Sequence, residues 1–122
     1  MKVLLIGAGL IGQERLLALE KISMDYSMDF ETTVVDPDEN LLEESKKRFN
    51  VNINTDYIDE LAKSPEWVFI STPHSVAPEI VMNCFKSAKN ILVENWACYS
   101  RWCFIIHINR YILLATSGWF ID

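Results

Sequence analysis

The 122-residue sequence predicts a doubly wound α/β domain on a mostly parallel sheet of order 3-2-1-4-5. Three observations carry this. Short apolar runs with little polar alternation recur along residues 1–95, as expected of strands buried on both faces. Helical patterns separate them, which points to βα units rather than hairpins. The first run ends in Gly7-Ala8-Gly9-Leu10-Ile11-Gly12, a G-x-G-x-x-G between a strand and a helix.

Taken in order, strands are expected at Lys2–Ile6, Phe30–Val35, Val51–Ile53, Trp67–Ser71 and Asn90–Val93. Helices are expected at Ile11–Met24, Pro37–Phe49, Tyr57–Lys63 and Val76–Ser87, with a polar loop over Ser23–Asp29. Asp36 can cap the second helix, with Pro37 at its first position. On that helix Glu43 faces Lys47 and Glu44 faces Arg48 at i,i+4 spacing. The run Lys46-Lys47-Arg48 is read as a solvated face rather than a phosphate patch, because its charges are mixed with acids. Cys103–Ile108 could add a sixth strand.

Composition narrows the function classes. One domain fits this length, and a net charge of −6 argues against nucleic acid or an anionic membrane as the main partner. Three irregularly spaced cysteines form no disulfide framework, so a reducing cytoplasm is expected. Lys2 and the apolar run after it resemble a signal peptide, but the run leads into Gln13-Glu14-Arg15 without a small-residue cleavage site. The longest apolar stretch, Cys103 to Ala115, is too short to span a bilayer and is interrupted by His107, Asn109 and Arg110.

The glycine motif has a physical reading. Gly7 permits a sharp exit from the strand, Gly9 lets backbone touch a pyrophosphate, and Gly12 lets helix and strand pack closely. The helix N-terminus then offers unpaired N–H groups and its positive dipole end to the phosphates. Ala8, Leu10 and Ile11 complete the loop. Asp36 ends the second apolar run, where a carboxylate would accept hydrogen bonds from the adenosine ribose and repel a 2′-phosphate. The expected cofactor is therefore NAD, with NADP disfavoured; the competing reading is that Asp36 only caps a helix. The fourth run ends in Ser71-Thr72-Pro73-His74, a loop that faces the cofactor at the point where strand order reverses. Its hydroxyls and proline could position the nicotinamide ring. His74 is weighed as an acid–base group and set aside as more simply a loop histidine.

Together Gly7-x-Gly9-x-x-Gly12, Val35-Asp36-Pro37, Asp56-Tyr57-Ile58-Asp59-Glu60-Leu61, Ser71-Thr72-Pro73 and Ile91-Leu92-Val93-Glu94 resemble the N-terminal domain of the Gfo/Idh/MocA oxidoreductases over about residues 1–95. That family consists mostly of sugar and inositol dehydrogenases. The resemblance implies a Rossmann domain binding NAD or NADP, followed by an α/β domain that holds substrate and often mediates oligomerisation. It also implies hydride transfer between nicotinamide C4 and a carbinol or carbonyl carbon. Glu94 matches the glutamate of the family's Glu-Lys-Pro motif and is counted with the cofactor site. Asn95 and Trp96 stand where Lys-Pro is expected, and Ala77 stands where the family has a histidine. No catalytic residue is therefore assigned, and the chain alone is expected not to turn over a sugar-like substrate unless a second domain is supplied.

Residues 96–122 differ in character. They hold three of four tryptophans and two of three cysteines, with no acid before Asp122 and no glycine before Gly118. Residues 1–95 carry 16 acids and 9 basic residues, whereas the tail has one acid and two arginines. The tail is expected to be no independent domain, either a frameshift product or a genuine tail that makes a homo-oligomer. Cys98, Cys103 and His107 are too loosely spaced, and lack a clear fourth ligand, to be read as a zinc site. Cys84 is read as a small buried hydrophobe. A non-catalytic NAD-sensing or dimerising module is the alternative function.

Overall fold

The computed structural model describes residues 1–94 and, as backbone strands, residues 102–107 and 113–117. Five parallel strands form its centre: β1 (Lys2–Ile6), β2 (Glu31–Val35), β3 (Asn52–Asn54), β4 (Trp67–Ile70) and β5 (Asn90–Glu94). They lie in the order β3-β2-β1-β4-β5, as the sequence predicts. The sixth strand expected from the tail is present as β6 (Trp102–His107), antiparallel to β5, and β7 (Leu113–Ser117) pairs with it. This last strand was not legible as a separate element.

Four helices connect the parallel strands: α1 (Leu10–Tyr26), α2 (Glu39–Arg48), α3 (Tyr57–Leu61) and α4 (Ala77–Cys84). The central strand β1 is buried on both faces from Val3 to Ile6, which accounts for its unbroken apolar run. Alternate residues of β1 point to opposite sides: Leu4 and Ile6 join Leu61, Ile80, Val81 and Cys84 under α3 and α4, while Leu5 joins Leu16 and Leu42 under α1 and α2. Leu5, Val34, Val68, Ile70, Ile91 and Val93 are completely or almost completely buried. Burying side chains of this size contributes about 1.5–3 kcal/mol each. On α4 the buried set Ala77, Ile80, Val81 and Cys84 follows i, i+3, i+4, i+7 spacing. Burial pushes the Cys84 thiol up to about 12, so it stays neutral and serves as an apolar filler.

Three local expectations are corrected. Helix α1 continues through residues assigned to the Ser23–Asp29 loop and ends at Ser27, a left-handed cap with φ of 52°. Ser23 Oγ donates to the Met28 carbonyl at 2.6 Å, tying off this extra turn. The cap of α2 is Asp38, not Asp36: its side chain accepts from Asn40 N at 2.9 Å, and Pro37 precedes the helix. Arg48 turns its guanidinium to Gln13 Oε1 at 3.2 Å and over the Phe49 ring, in place of the expected pairing with Glu44. The other members of the basic run, Lys46 and Lys47, are exposed in the last turn of α2, as a solvated face requires.

Candidate dinucleotide site

The site is assembled where β1 leaves the sheet between β2 and β4. Gly7 N donates to Val35 O, and Ser71 N donates to Ile6 O, both at 2.8 Å. These bonds carry the parallel ladder one step past the strands and bring the glycine loop against the Ser71-Thr72 backbone. Gly7 has φ of +106°, and a Cβ there would lie 2.6 Å from the Ser71 carbonyl oxygen. Both the backbone conformation and the close approach demand glycine.

The other two glycines are needed for different reasons. A Cβ on Gly12 would overlap the Gly7 carbonyl oxygen, so α1 could not pack against the loop. A Cβ on Gly9 would meet nothing within 4 Å. Its absence is thus not required by the protein's own packing; it leaves open space beside the helix N-terminus. That end carries no side-chain cap and no acid in its first turn. The first intrahelical bond there runs from Gln13 N to Gly9 O at 2.9 Å, which leaves earlier N–H groups of the turn for an external acceptor. Leu10 and Ile11 are exposed on this turn, while Ala8 and Gly12 are buried.

Asp36 stands at the mouth of the loop. Its Oδ2 accepts from Ala8 N at 2.9 Å and its Oδ1 from Asp38 N at 2.8 Å. The reading of Asp36 as only a helix cap is therefore replaced by a contact to the glycine loop across 28 positions of sequence. A carboxylate offers about four acceptor positions, so it can take further hydrogen bonds from a diol without losing these two.

The β4 end supplies a second polar wall. Ser71 Oγ and Thr72 Oγ1 are buried, and neither has a hydrogen-bond partner among the described residues. Buried hydroxyls are rarely left in this state, and a ligand with donors or acceptors would satisfy them. Pro73 and His74 are exposed in the turn before α4, and the Pro73 carbonyl accepts from Val76 N and Ala77 N. Ala77, where the family has a histidine, is fully buried in the core cluster beneath α4. Glu94 ends β5; its side chain, like Asn95, Trp96 and Cys98, lies outside the described residues. Cys103 and His107 are placed as β6 backbone only.

The geometry gathers Gly7, Ala8, Gly9, Leu10, Ile11, Gly12, Asp36, Ser71 and Thr72 at the carboxyl ends of the central strands β2, β1 and β4. Open space beside Gly9, an uncapped helix end, a carboxylate and orphaned hydroxyls together fit a dinucleotide. Sequence reasoning missed Gln13 and Ser45, which brace the loop from behind at 2.7 Å from each other. Their separation of 32 positions left no local trace of the contact. No group of three or more His, Cys, Asp or Glu among the described residues is placed to hold a metal. No helix among them is long and apolar enough to cross a membrane.

This arrangement defines a nucleotide-binding domain of the doubly wound class. Residues 1–95 match the model of the group described as "Oxidoreductase family, NAD-binding Rossmann fold", Gfo/Idh/MocA, and the chain belongs to that family. The WlbA dehydrogenase of Chromobacterium violaceum, solved with NADH and UDP-GlcNAcA, superposes with a TM-score of 0.62 at 25% identity, covering 71% of this chain and 25% of its own. A putative NADPH-dependent oxidoreductase of Desulfitobacterium hafniense gives 0.67 at 26% identity, covering 78% and 26%. The myo-inositol 2-dehydrogenase of Lactobacillus plantarum gives 0.67 at 23% identity, covering 78% and 28%, a likeness of fold. The match thus spans about a quarter of each of these structures. No curated protein matches the chain.

Proposed function

We propose that this chain binds NAD, in preference to NADP, as the cofactor domain of an oxidoreductase acting on a sugar- or polyol-like substrate. The observation that carries the reading is the Asp36 carboxylate, fixed by Ala8 N beside an open glycine loop. Its two occupied oxygens hold it in one orientation, leaving acceptor positions for the ribose hydroxyls. A 2′-phosphate would meet this negative charge at short range. The phosphates would lie at the α1 N-terminus, in the space a Gly9 side chain would fill. Ser71 and Thr72 would bond the nicotinamide half with their hydroxyls, and Pro73, His74 and Glu94 are proposed to complete the cofactor site. NAD supplies hydride-transfer chemistry when bound; the residues described here bind and orient it.

Calorimetric titration tests the assignment. NAD should bind more tightly than NADP, and Asp36→Ala should narrow the gap. Equal affinities in the unaltered protein would refute the ribose contact.

Residues 1–122 alone are proposed not to turn over substrate. The sequence has Asn95 where the family motif has lysine, and an amide supplies neither the ammonium charge nor its exchangeable proton. Alanine at position 77, where the family has a histidine, also favours a second reading, a non-catalytic NAD-sensing or dimerising module. Dehydrogenase activity in the 122-residue protein would exclude that reading. We further propose that the tail, which adds β6 and β7 to the sheet, forms no domain of its own and mediates a homo-oligomer. Light scattering should then show one discrete oligomer rather than aggregates. The free Cys84 thiol suits a cytoplasmic location.

A further inference from the structure

We propose that Gln13 is a positioning residue: through Ser45 and Arg48 it clamps the glycine loop to α2 and keeps it in the form that accepts a dinucleotide. The proposal rests on the NAD-binding reading above. Gln13 follows the third glycine, and its amide reaches three groups. Nε2 donates to the Ala8 carbonyl at 3.1 Å and to Ser45 Oγ at 2.7 Å, while Oε1 accepts from Arg48 Nη1 at 3.2 Å.

Chemistry fixes which way the amide faces. Ser45 is completely buried, and its hydroxyl hydrogen is directed to the Leu41 carbonyl at 3.0 Å. Its oxygen can then only accept, so Gln13 must present N–H to it. A flipped amide would set its carbonyl oxygen against the Ala8 carbonyl and its NH₂ against the Arg48 guanidinium. The network works in one orientation only.

The effect falls on the Ala8 residue. Asp36 Oδ2 accepts from its N–H and Gln13 donates to its C=O, so side chains from two elements hold its backbone at both ends. Ala8 lies between the two glycines, Gly7 with φ of +106° and Gly9 with open space around it. Without these holds the loop would have more backbone freedom, and binding would have to order it. Arg48 adds a charge-assisted bond at the far end of the chain of contacts.

The test uses the full 122-residue chain with Gln13→Met and Gln13→Glu. Methionine keeps the length and apolar stem but loses all three hydrogen bonds. Glutamate keeps an acceptor for Arg48 but cannot donate to Ala8 or Ser45 when ionised. Both variants should bind NAD about tenfold more weakly, the loss of one net hydrogen bond. In the nucleotide-free protein the Ala8 amide should exchange faster in both, with the Leu5 and Ile70 amides of the sheet unchanged. A merely structural role for the Arg48 contact would let glutamate rescue binding and would leave Ala8 unaffected. NAD affinity within about twofold of the unaltered chain in Gln13→Met overturns the clamp. An unaltered chain that binds no NAD refutes the cofactor reading instead.

Discussion

The two walls of the dinucleotide site are finished to different degrees. On the β1–β2 side, Asp36 and Gln13 hold the Ala8 N–H and C=O, and the Gly7 N–H is bonded to Val35. On the β4 side, the Ser71 and Thr72 hydroxyls are buried without partners among the described residues. The first wall is preorganised by the protein itself. On the proposed function, the second is completed by the ligand. Preorganisation lowers the ordering cost of binding, while unsatisfied groups make a ligand's own hydrogen bonds count for more.

The largest effects are expected at the glycines. Gly12→Ala should destabilise the fold by about 3 kcal/mol, at the upper end for overpacking, because the new Cβ overlaps the Gly7 carbonyl. Gly9→Ala should change stability by no more than about 0.5 kcal/mol, since its backbone (φ −71°, ψ −163°) suits alanine and its Cβ meets nothing. Yet Gly9→Ala should weaken NAD binding by more than about tenfold. Urea unfolding and calorimetry on both variants would show the two effects trading places. Equal stability losses would mean that Gly9 is a folding residue.

Smaller effects are expected at the β4 wall. Ser71→Ala and Thr72→Val remove orphaned hydroxyls, so the nucleotide-free protein should be unchanged or stabilised by up to about 1 kcal/mol, with NAD affinity reduced about threefold. Thermal melts with and without NAD would read both quantities. A loss of stability without nucleotide would show that these hydroxyls already have partners.

The smallest effect serves as a control away from the site. Glu60 is buried; desolvation raises its pKa, but hydrogen bonds from Asn54 and Lys63 and the Lys63 charge together bring it below 4.5. Asn54 Nδ2 and Lys63 Nζ reach its Oε1 at 3.0 and 2.9 Å. A folded value below the unfolded one contributes stability above pH 4.5 that is lost as pH falls through the folded value. Glu60→Gln should therefore cost stability at neutral pH, and the gap from the parent should close on acidification. A gap that widens in acid would reverse the assigned sign. NAD affinity at neutral pH should be unchanged.

Much of the fold was legible because its causes are local. Strand β1 matches its expected span, and β2 to β5 fall within a residue or so, since a strand buried on both faces must be an apolar run. Helix ends were read less well. Asp36-Pro37 reads as the start of α2, yet Asp38 two residues on has the same capping chemistry. The choice was settled by Ala8, 28 positions away, whose N–H takes the Asp36 carboxylate and leaves the cap to Asp38. The tail's apolar run suggested one strand, while β7 required the β6 edge to pair with.

The alternation of strands and helices, the parallel sheet order, the glycine loop and the acid at the end of β2 were all legible along the chain. These depend on residue period, on backbone freedom and on connection lengths, all read along the chain. It took the folded arrangement to show that Asp36 and Gln13 hold opposite ends of the Ala8 residue, and that the Ser71 and Thr72 hydroxyls are buried without partners among the described residues. Hydrogen bonds between elements depend on distances across the sheet, and no pattern along the chain records those distances.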